Sequence, residues 1–293
     1  MTLHNAGENL AHEGPNAEQI EYWNGDAGDR WARYQDKLDG LLQPFSDAML
    51  RIAAVKPGDR IIDVGCGCGA TTLELAAKAG AGGKTFGVDI SAPMIARARQ
   101  RAEAMKSPAE FMLADASAHL FAPASFDLLA SRFGIMFFLE PVPAFAHMRK
   151  ALAPGGRVAF ACWRPMKENP WIAAPLFAAL PHIPKQEPAI PGAPGPFAFD
   201  DRDRLHGVLT KAGYSAVEIE PFDAPLAVGT GADPVADALQ QTLDIGPLAR
   251  IFRELNDEQR RLSTAAVQEA LARHVEEGRV VMGGAVWLVT ARA

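Results

Sequence analysis

The chain has few cysteines and no long apolar run, and these two gaps exclude several classes of protein. Three cysteines among 293 residues, an odd number, do not make a disulfide framework. No uninterrupted apolar stretch reaches the roughly 18 residues of a membrane span, and the nearest, residues 126–138, is broken by Asp127 and Arg132. Residues 1–9 lack the basic start and apolar run of a secretory signal. We therefore expect a cytoplasmic protein without a membrane span.

Positive charge is also scarce. The chain carries 29 Lys and Arg against 35 Asp and Glu, a formal net charge of -6. Such a chain is a poor binder of polyanions, so no nucleic-acid partner is expected. The Cys66-x-Cys68 pair lacks the further ligands at set spacing that zinc requires, so no metal is expected either. Hydrophobic residues at 48% and charged residues at 22% are typical of a globular protein.

What the chain does have is a glycine-rich stretch between two regular elements. Residues 60–77 read RIIDVGCGCGATTLELAA. The first five residues predict a short buried strand, the alternate glycines a turn, and the residues after them a helix. Glycine allows backbone angles that other residues avoid, and the N–H groups at the helix start face a ligand. This stretch predicts a site for an adenosine-type ligand.

The glycine pattern alone leaves the kind of ligand open. Gly65-x-Gly67-x-x-Ala70 satisfies the looser dinucleotide fingerprint, and Asp89 lies about 20 residues further on, where an acid meets a ribose. A nicotinamide-dependent oxidoreductase is therefore one alternative. Against it, none of the three tyrosines begins a Tyr-x-x-x-Lys pair, and Asp115 would have no role. A protein that binds the ligand without catalysis is a further alternative.

Four more segments follow the glycine stretch in order. They are Gly87-Val88-Asp89-Ile90-Ser91, Leu113-Ala114-Asp115-Ala116, Phe126-Asp127-Leu128-Leu129 and Ala153-Pro154-Gly155-Gly156. With the series Asp63-x-Gly65-x-Gly67-x-Gly69, they make the chain resemble the class I S-adenosylmethionine-dependent methyltransferases over residues 55–163. The resemblance implies S-adenosyl-L-methionine as cofactor and S-adenosyl-L-homocysteine as product. Quinone and sterol methyltransferases are the most similar in kind.

Strands alternate with helices through this region, which predicts an α/β fold with a doubly wound sheet. The resemblance implies a Rossmann-like sheet of seven mostly parallel strands, with the last strand antiparallel between its neighbours. We expect a helical insertion before that last strand, including a helix over residues 256–277. The predicted parts are a helical lid (1–50, frayed to about residue 16), the cofactor-binding core (51–163), a proline-rich and aromatic-rich substrate cap (164–212), and C-terminal strands with the helical insertion (213–293).

The resemblance assigns the nucleotide half of the cofactor to residues that follow the second and third strands. It implies that Asp89 accepts hydrogen bonds from the ribose hydroxyls, and that Ile90 and Met94 sandwich the adenine. Asp115 would accept from the adenine 6-amino group, and the Ala116 N–H would serve the adenine N1 atom. These strand ends lie where doubly wound sheets bind ligands.

The methionyl half is assigned to two loops. The resemblance implies that Gly65, Cys66 and Gly67 pass close to it, and that Ser131 and Phe133 line the methyl-donor end. Asp63 is expected to hold the glycine loop through backbone N–H groups. The three arginines at 97, 99 and 101 are expected on a solvated helix face.

The aromatic N-terminal segment has two interpretations. Tyr22, Trp23 and Trp31 either pack the extension on the main domain or form a lid over the cofactor and the acceptor. Together with the proline-rich cap, they favour a small, partly apolar acceptor. No catalytic residue is assigned, because in-line methyl transfer can depend on alignment alone. The exposed aromatic residues also allow a homodimer.

Overall fold

The computed structural model describes residues 16–186 and 190–293. The expectation of a frayed start up to residue 15, and the part of the proline-rich segment at 187–189, lie outside the described residues. The chain divides into two compact units. The first comprises Met1–Trp163, Gly192–Pro221 and Val286–Ala293, and the second comprises Arg164–Pro191 and Phe222–Ala285.

One sheet contains all the described strands, in the order β3-β2-β1-β4-β5-β8-β6 with β7 beside β8. The strands are β1 (Arg60–Val64), β2 (Lys84–Asp89), β3 (Glu110–Leu113), β4 (Phe126–Arg132), β5 (Leu152–Trp163), β6 (Ser215–Gly229), β7 (Val275–Glu276) and β8 (Arg279–Arg292). Neighbours among β1 to β5 are parallel, and β8 is antiparallel to β5. The predicted doubly wound sheet with an antiparallel last strand is confirmed, and the two-residue β7 is an addition that was not predicted.

Helices connect these strands. They are α1 (Ala17–Asn24), α2 (Asp26–Arg33), α3 (Gln35–Ala53), α4 (Ala70–Ala79), α5 (Ala92–Met105), α6 (Pro141–Ala151), α7 (Pro170–Ala179), α8 (Arg202–Lys211), α9 (Pro234–Asp244), α10 (Pro247–Arg253) and α11 (Asp257–Ala272). The N-terminal segment, expected to be helical, forms three helices, of which α3 has 19 residues. None of the described helices has the length and apolar character needed to cross a membrane.

The central strands β1 and β4 are covered on both faces. Ile61 and Leu128 are fully buried, and so are Leu129 and Ala130 next to each other in β4. A parallel strand covered on both faces shows a continuous apolar run instead of alternation. From β1, the strands β2 and β3 follow on one side of the sheet, and β4 and β5 then follow on the other side of β1. The direction of the strand order therefore reverses beside β1. Doubly wound sheets bind ligands outside the carboxyl ends of the strands at such a point.

The predicted helix over residues 256–277 was wrong at its C-terminal end. Helix α11 ends at Ala272, and β7 then pairs with the start of β8, with Glu276 opposite Arg279. Between them, Glu277 and Gly278 have φ of 47° and 73°. Two positive φ values in a two-residue loop are those of a tight hairpin turn. Gly278, just beyond the predicted helix, is therefore a hairpin residue.

The second unit is largely helical. Helices α9, α10 and α11 lie between β6 and β8 in the chain, in the region where a helical insertion was expected. The buried Asn169 precedes α7 and fixes its start: its Nδ2 donates to the carbonyls of Arg164 and Ala285 at 3.1 Å each, and its Oδ1 accepts from the Ala285 N–H at 2.8 Å. Its carboxamide is thus occupied within this unit.

Candidate cofactor site

The glycine loop after β1 is shaped by two different requirements. Gly65 has φ of +67°, and a Cβ added there would lie 2.4 Å from the Cα of Gly134, which follows β4. The two loops therefore touch through their backbones, and neither position has space for a side chain. Gly67 has φ of +53°, but an added Cβ would meet only the Met94 sulfur at 3.7 Å. The loop is closed behind Gly65 and open above Gly67, as a backbone that approaches a ligand must be.

Asp89 joins the end of β2 to this loop. Its Oδ2 accepts from the Gly67 N–H at 2.8 Å, and its Oδ1 accepts from the Ser91 N–H at 2.9 Å. The residue is only 7% exposed, and burial raises the pKa of its carboxyl while the backbone donors oppose the rise. A carboxylate offers about four acceptor positions, so Asp89 can accept further donors such as hydroxyl groups.

Asp63 supports the loop from below, but not in the expected way. Its Oδ2 accepts from the hydroxyls of Thr71 and Thr72, at 2.6 and 2.7 Å, in the first turn of α4. The expectation of backbone N–H donors was wrong, because these two hydroxyls reach the carboxylate first. Complete burial raises its pKa to about 6, against the effects of the hydroxyls and of Arg132. Asp63 therefore connects the end of β1 to the first turn of α4 through these hydrogen bonds.

The three arginines of α5 form a solvated face only in part, because Arg99 is exposed whereas Arg97 and Arg101 are partly buried. Arg101 makes an ion pair with Asp39 of α3 at 2.8 Å and donates to the carbonyl of Cys68 at 2.6 Å. Arg97 donates to the Gln35 side chain at 3.0 Å, and the third arginine donates to a carbonyl of β3. Because the three arginines stand at alternate positions of α5, each side chain reaches a different neighbour. Arg101 connects α3 with the glycine loop.

Asp115, after β3, is surrounded by donors. Its Oδ1 accepts from the N–H and the hydroxyl of Ser117 at 2.8 and 2.7 Å. The Asn16 Nδ2 lies 3.1 Å from Oδ1 and 3.0 Å from Oδ2. Ala116, beside it, is buried. The carboxylate proposed for the adenine amino group is therefore in contact with the residue that precedes α1.

The apolar pair proposed for the adenine follows β2. Met94 is buried in the first turn of α5, and Ile90 is half-buried. Asn24, the last residue of α1, donates to the Ile90 carbonyl at 2.8 Å and accepts from the Ala92 N–H at 2.9 Å. Helix α1 thus contacts the nucleotide side of the site at both of its ends.

The two cysteines of the loop differ in their surroundings. Cys66 belongs to an apolar cluster with Leu73, Ile95 and Phe111, so its side chain is a core residue although its backbone lies in the loop. Cys68 is partly buried, with its sulfur 3.9 Å from the Trp31 carbonyl. Burial raises both thiol pKa values, that of Cys68 to about 12. In residues 16–186 and 190–293, no group of three His, Cys, Asp or Glu side chains could hold a metal.

Aromatic rings lie beside the carboxyl end of β4, where the methyl-donor end of the cofactor was expected. Phe133, directly after β4, has φ of +67° and stacks on Trp163, with centroids 4.1 Å apart and planes 4° apart. Phe45 of α3 meets both rings edge-on, at 5.9 and 5.3 Å. We call Phe45, Phe133 and Trp163 the aromatic cluster. Ser131 is fully buried, and its hydroxyl donates to the Val64 carbonyl at 2.7 Å, so that proton is used within the sheet.

The N-terminal aromatic residues divide into two groups. Trp23 meets Trp31 at 5.8 Å and Phe137, in the turn after β4, at 5.3 Å, in each case edge-on. Tyr22 packs edge-on against Trp23 at 5.2 Å and is 47% exposed. Trp23 therefore packs the extension on the core, while Tyr22 has the exposure that a lid residue needs.

Sequence reasoning missed three participants. Nothing in the sequence singles out Asn16, because it stands in a polar segment without a motif. Gly134 could have been found, because a lone glycine among apolar residues often marks a close approach of two backbones. Trp163 carries no motif, and its stacking on Phe133 depends on the pairing of β4 with β5.

The comparisons with known proteins agree with this architecture. Residues 61–156 match the family described as a methyltransferase domain. Aklanonic acid methyltransferase DauC from Streptomyces sp. (strain C5) is 34% identical over 151 residues, which cover 51% of this chain and 64% of that protein. Nocamycin O-methyltransferase from Saccharothrix syringae is 27% identical over 275 residues, 88% of this chain and 96% of that protein.

A solved structure supports the fold over a longer range. Phosphoethanolamine N-methyltransferase 2 from Haemonchus contortus, in complex with S-adenosyl-L-methionine, matches 96% of this chain and 60% of its own with a TM-score of 0.56 at 16% identity. This similarity shows the fold alone. With the glycine loop, the domain match over residues 61–156 supports the resemblance to the class I S-adenosylmethionine-dependent methyltransferases. The chain spans just under two thirds of the first relative above and nearly all of the second.

Proposed function

We propose that this chain transfers a methyl group from S-adenosyl-L-methionine to a small, partly apolar acceptor of the quinone, phenol, sterol or lipid kind. The observation that carries the proposal is the joint position of the open glycine loop and Asp89 at the switch point of the sheet. Both relatives named above are methyltransferases whose names specify small molecules.

The residues present fit the cofactor. The space above Gly67 leaves the backbone accessible, and Asp89 can accept hydroxyl donors beside it. Ile90 and Met94 offer apolar surface next to Asp89, and Asp115 offers a carboxylate to an amino group. We assign the ribose to Asp89, the adenine to Ile90, Met94, Asp115 and Ala116, the methionyl part to Gly65, Cys66 and Gly67, the methyl-donor end to Ser131 and Phe133, and the lid to Tyr22 and Trp31.

The chain's own contribution to the reaction is alignment. The bound cofactor would supply an electrophilic methyl carbon on its sulfonium. Residues around it hold the acceptor in line and exclude water, and good alignment is worth effective molarities of about 10⁵–10⁸ M. The acceptor's proton needs no dedicated base in this scheme, and no side chain is assigned that role. The Nε2 of His147 lies 2.8 Å from the His119 carbonyl, so this ring is in contact with the backbone.

The surroundings of the proposed methyl-donor end favour one class of acceptor. Phe133 and Trp163 present stacked, largely buried rings there, and a fully buried polar group, Ser131, has its hydroxyl occupied. Such surroundings favour a flat, partly apolar acceptor over a charged one.

Calorimetric titration of the purified protein with S-adenosylmethionine, S-adenosylhomocysteine and NAD tests the cofactor. We expect binding of both sulfur compounds and none of NAD. NAD binding without them would instead support the oxidoreductase alternative. Transfer of labelled methyl groups to quinones, phenols, sterols or fatty acids would then support catalysis, whereas binding without transfer to any acceptor or to a metabolite extract would support a non-catalytic binding protein.

A further inference from the structure

Asn16 uses its side chain far from its own helix. It precedes α1 at the N-cap position, where an Asn side chain commonly accepts from the backbone N–H of the second or third helical residue. Its side chain makes no such bond here. Instead Nδ2 contacts both carboxylate oxygens of Asp115, at 3.1 and 3.0 Å, and the Ser117 hydroxyl at 3.0 Å. The Asn16 side chain therefore contacts a residue 99 positions away instead of capping its own helix.

The rest of the carboxamide is also occupied. The Asn16 Oδ1 accepts from the Leu139 N–H at 3.2 Å, and the residue is 5% exposed. At the other end of the same helix, Asn24 is bonded to the backbone of Ile90 and Ala92. Helix α1 is thus fixed at both ends, and Asn16 stays in place only if Asp115 keeps its position.

The carboxylate of Asp115 retains acceptor capacity on one side. Oδ1 receives three donors, two from Ser117 and one from Asn16, whereas Asn16 is the described side-chain donor to Oδ2. A carboxylate oxygen has two lone-pair positions, so Oδ2 can accept a second donor without losing the first. An exocyclic amino group of a purine is such a donor.

We propose that Asn16 is a positioning residue for cofactor selectivity: it holds the Asp115 carboxylate so that Oδ2 is directed to the 6-amino group of the adenine. The inference rests on the proposed role of Asp115 in the function above. Asn16 and the amino group share the carboxylate and do not compete for it. The selection for an adenine over a purine without the amino group then depends on a residue outside the cofactor motifs.

The test compares two ligands. Dissociation constants of S-adenosylhomocysteine and of its 6-deamino analogue, which has hydrogen in place of the amino group, are measured by calorimetry for the wild type and for Asn16→Ala. We expect the wild type to prefer S-adenosylhomocysteine by about tenfold, the worth of one charged hydrogen bond. Asn16→Ala should reduce that preference to about twofold, mainly by weakening S-adenosylhomocysteine, with little change for the analogue.

Asn24→Ala is the matched control, because it loosens the other end of α1 without touching Asp115. It should weaken both ligands by the same factor and leave the preference unchanged. An equal loss of both ligands in Asn16→Ala would overturn the inference and make Asn16 a simple anchor of α1. Tighter binding of S-adenosylhomocysteine by Asn16→Ala would also overturn it, since it would mean that the carboxamide competes with the adenine.

Asp115→Ala separates this inference from the proposed function. One outcome is that Asp115→Ala abolishes the preference for S-adenosylhomocysteine over the analogue while Asn16→Ala preserves it. In that case Asp115 binds the amino group as proposed, and only the inference about Asn16 is wrong. If Asp115→Ala also preserves the preference, the assigned role of Asp115 is wrong and the inference is overturned with it.

Discussion

The two halves of the candidate site are held by different kinds of interaction. On the nucleotide side, Asp89 and Asp115 are held by backbone and side-chain donors within 3.1 Å. On the methyl-donor side, Phe45, Phe133 and Trp163 pack ring against ring. Hydrogen bonds specify the position of one ligand closely, whereas ring surfaces tolerate related shapes. The difference suggests a fixed cofactor half and an adaptable acceptor half.

The contact of Gly65 with Gly134 is where the two halves meet, and breaking it should have the largest effect. Gly65→Ala places a methyl group 2.4 Å from the Gly134 Cα, and that backbone cannot rotate away. We expect a loss of more than about 3 kcal/mol of unfolding free energy, of which the left-handed backbone accounts for about 1–2 kcal/mol. Denaturant unfolding followed by circular dichroism measures it.

Gly278→Ala is a close control for this substitution. Gly278, in the hairpin turn before β8, has φ of +73°, close to that of Gly65, but no atom lies within 4 Å of an added Cβ. Only the backbone cost of about 1–2 kcal/mol should remain. Equal losses in the two variants would mean that the backbone conformation, and not the contact between the two loops, makes Gly65 necessary.

Asp63 should give the nucleotide half a distinctive pH dependence. Its folded pKa of about 6 lies above the ordinary value of 3.8, so the folded state binds the proton more tightly. Its contribution to stability therefore falls as the pH rises from about 4 to about 6, by about 3 kcal/mol, and is constant above that range. The difference in unfolding free energy between the wild type and Asp63→Asn, measured at several pH values, isolates this contribution.

A constant difference between these two proteins from pH 4 to pH 7 would show that Asp63 is ionised throughout. The attraction of the buried Arg132 would then outweigh the cost of burial. The other carboxyls titrate in both proteins, so their effects cancel in the comparison.

Asp89→Ala should weaken binding of S-adenosylhomocysteine by at least about tenfold, because one charged hydrogen bond to a ribose hydroxyl is lost. The Gly67 N–H also loses its acceptor. Calorimetry measures the dissociation constant. Asp127→Ala is the control: Asp127 pairs with Arg60 near the amino ends of β4 and β1, and the affinity should not change. Unchanged affinity in Asp89→Ala would remove Asp89 from the proposed ribose site.

These halves also differ in how far the sequence predicted them. The glycine loop and β2 with Asp89 depend on neighbours within about 30 residues, and the pattern indicates them directly. The doubly wound order joins more distant strands, but the alternation of strands and helices indicates it. Asn16 beside Asp115, and Arg101 between Asp39 and Cys68, join segments that only the folded chain brings together. Hydrophobic periodicity specifies which face of a helix is buried but not which polar neighbour it meets, so these pairs could not be predicted.

The smallest expected effect tests whether the aromatic cluster belongs to the acceptor half. Trp163→Phe keeps a ring on Phe133 but reduces the stacked area, so stability should fall by about 1 kcal/mol. Phe133→Leu removes the stack from its other side and should give a comparable result. Binding of S-adenosylhomocysteine should stay within twofold in Trp163→Phe, because Trp163 is not among the residues assigned to the cofactor. A tenfold loss of affinity in this variant would place the whole cluster in the cofactor half and leave the acceptor without its proposed surface.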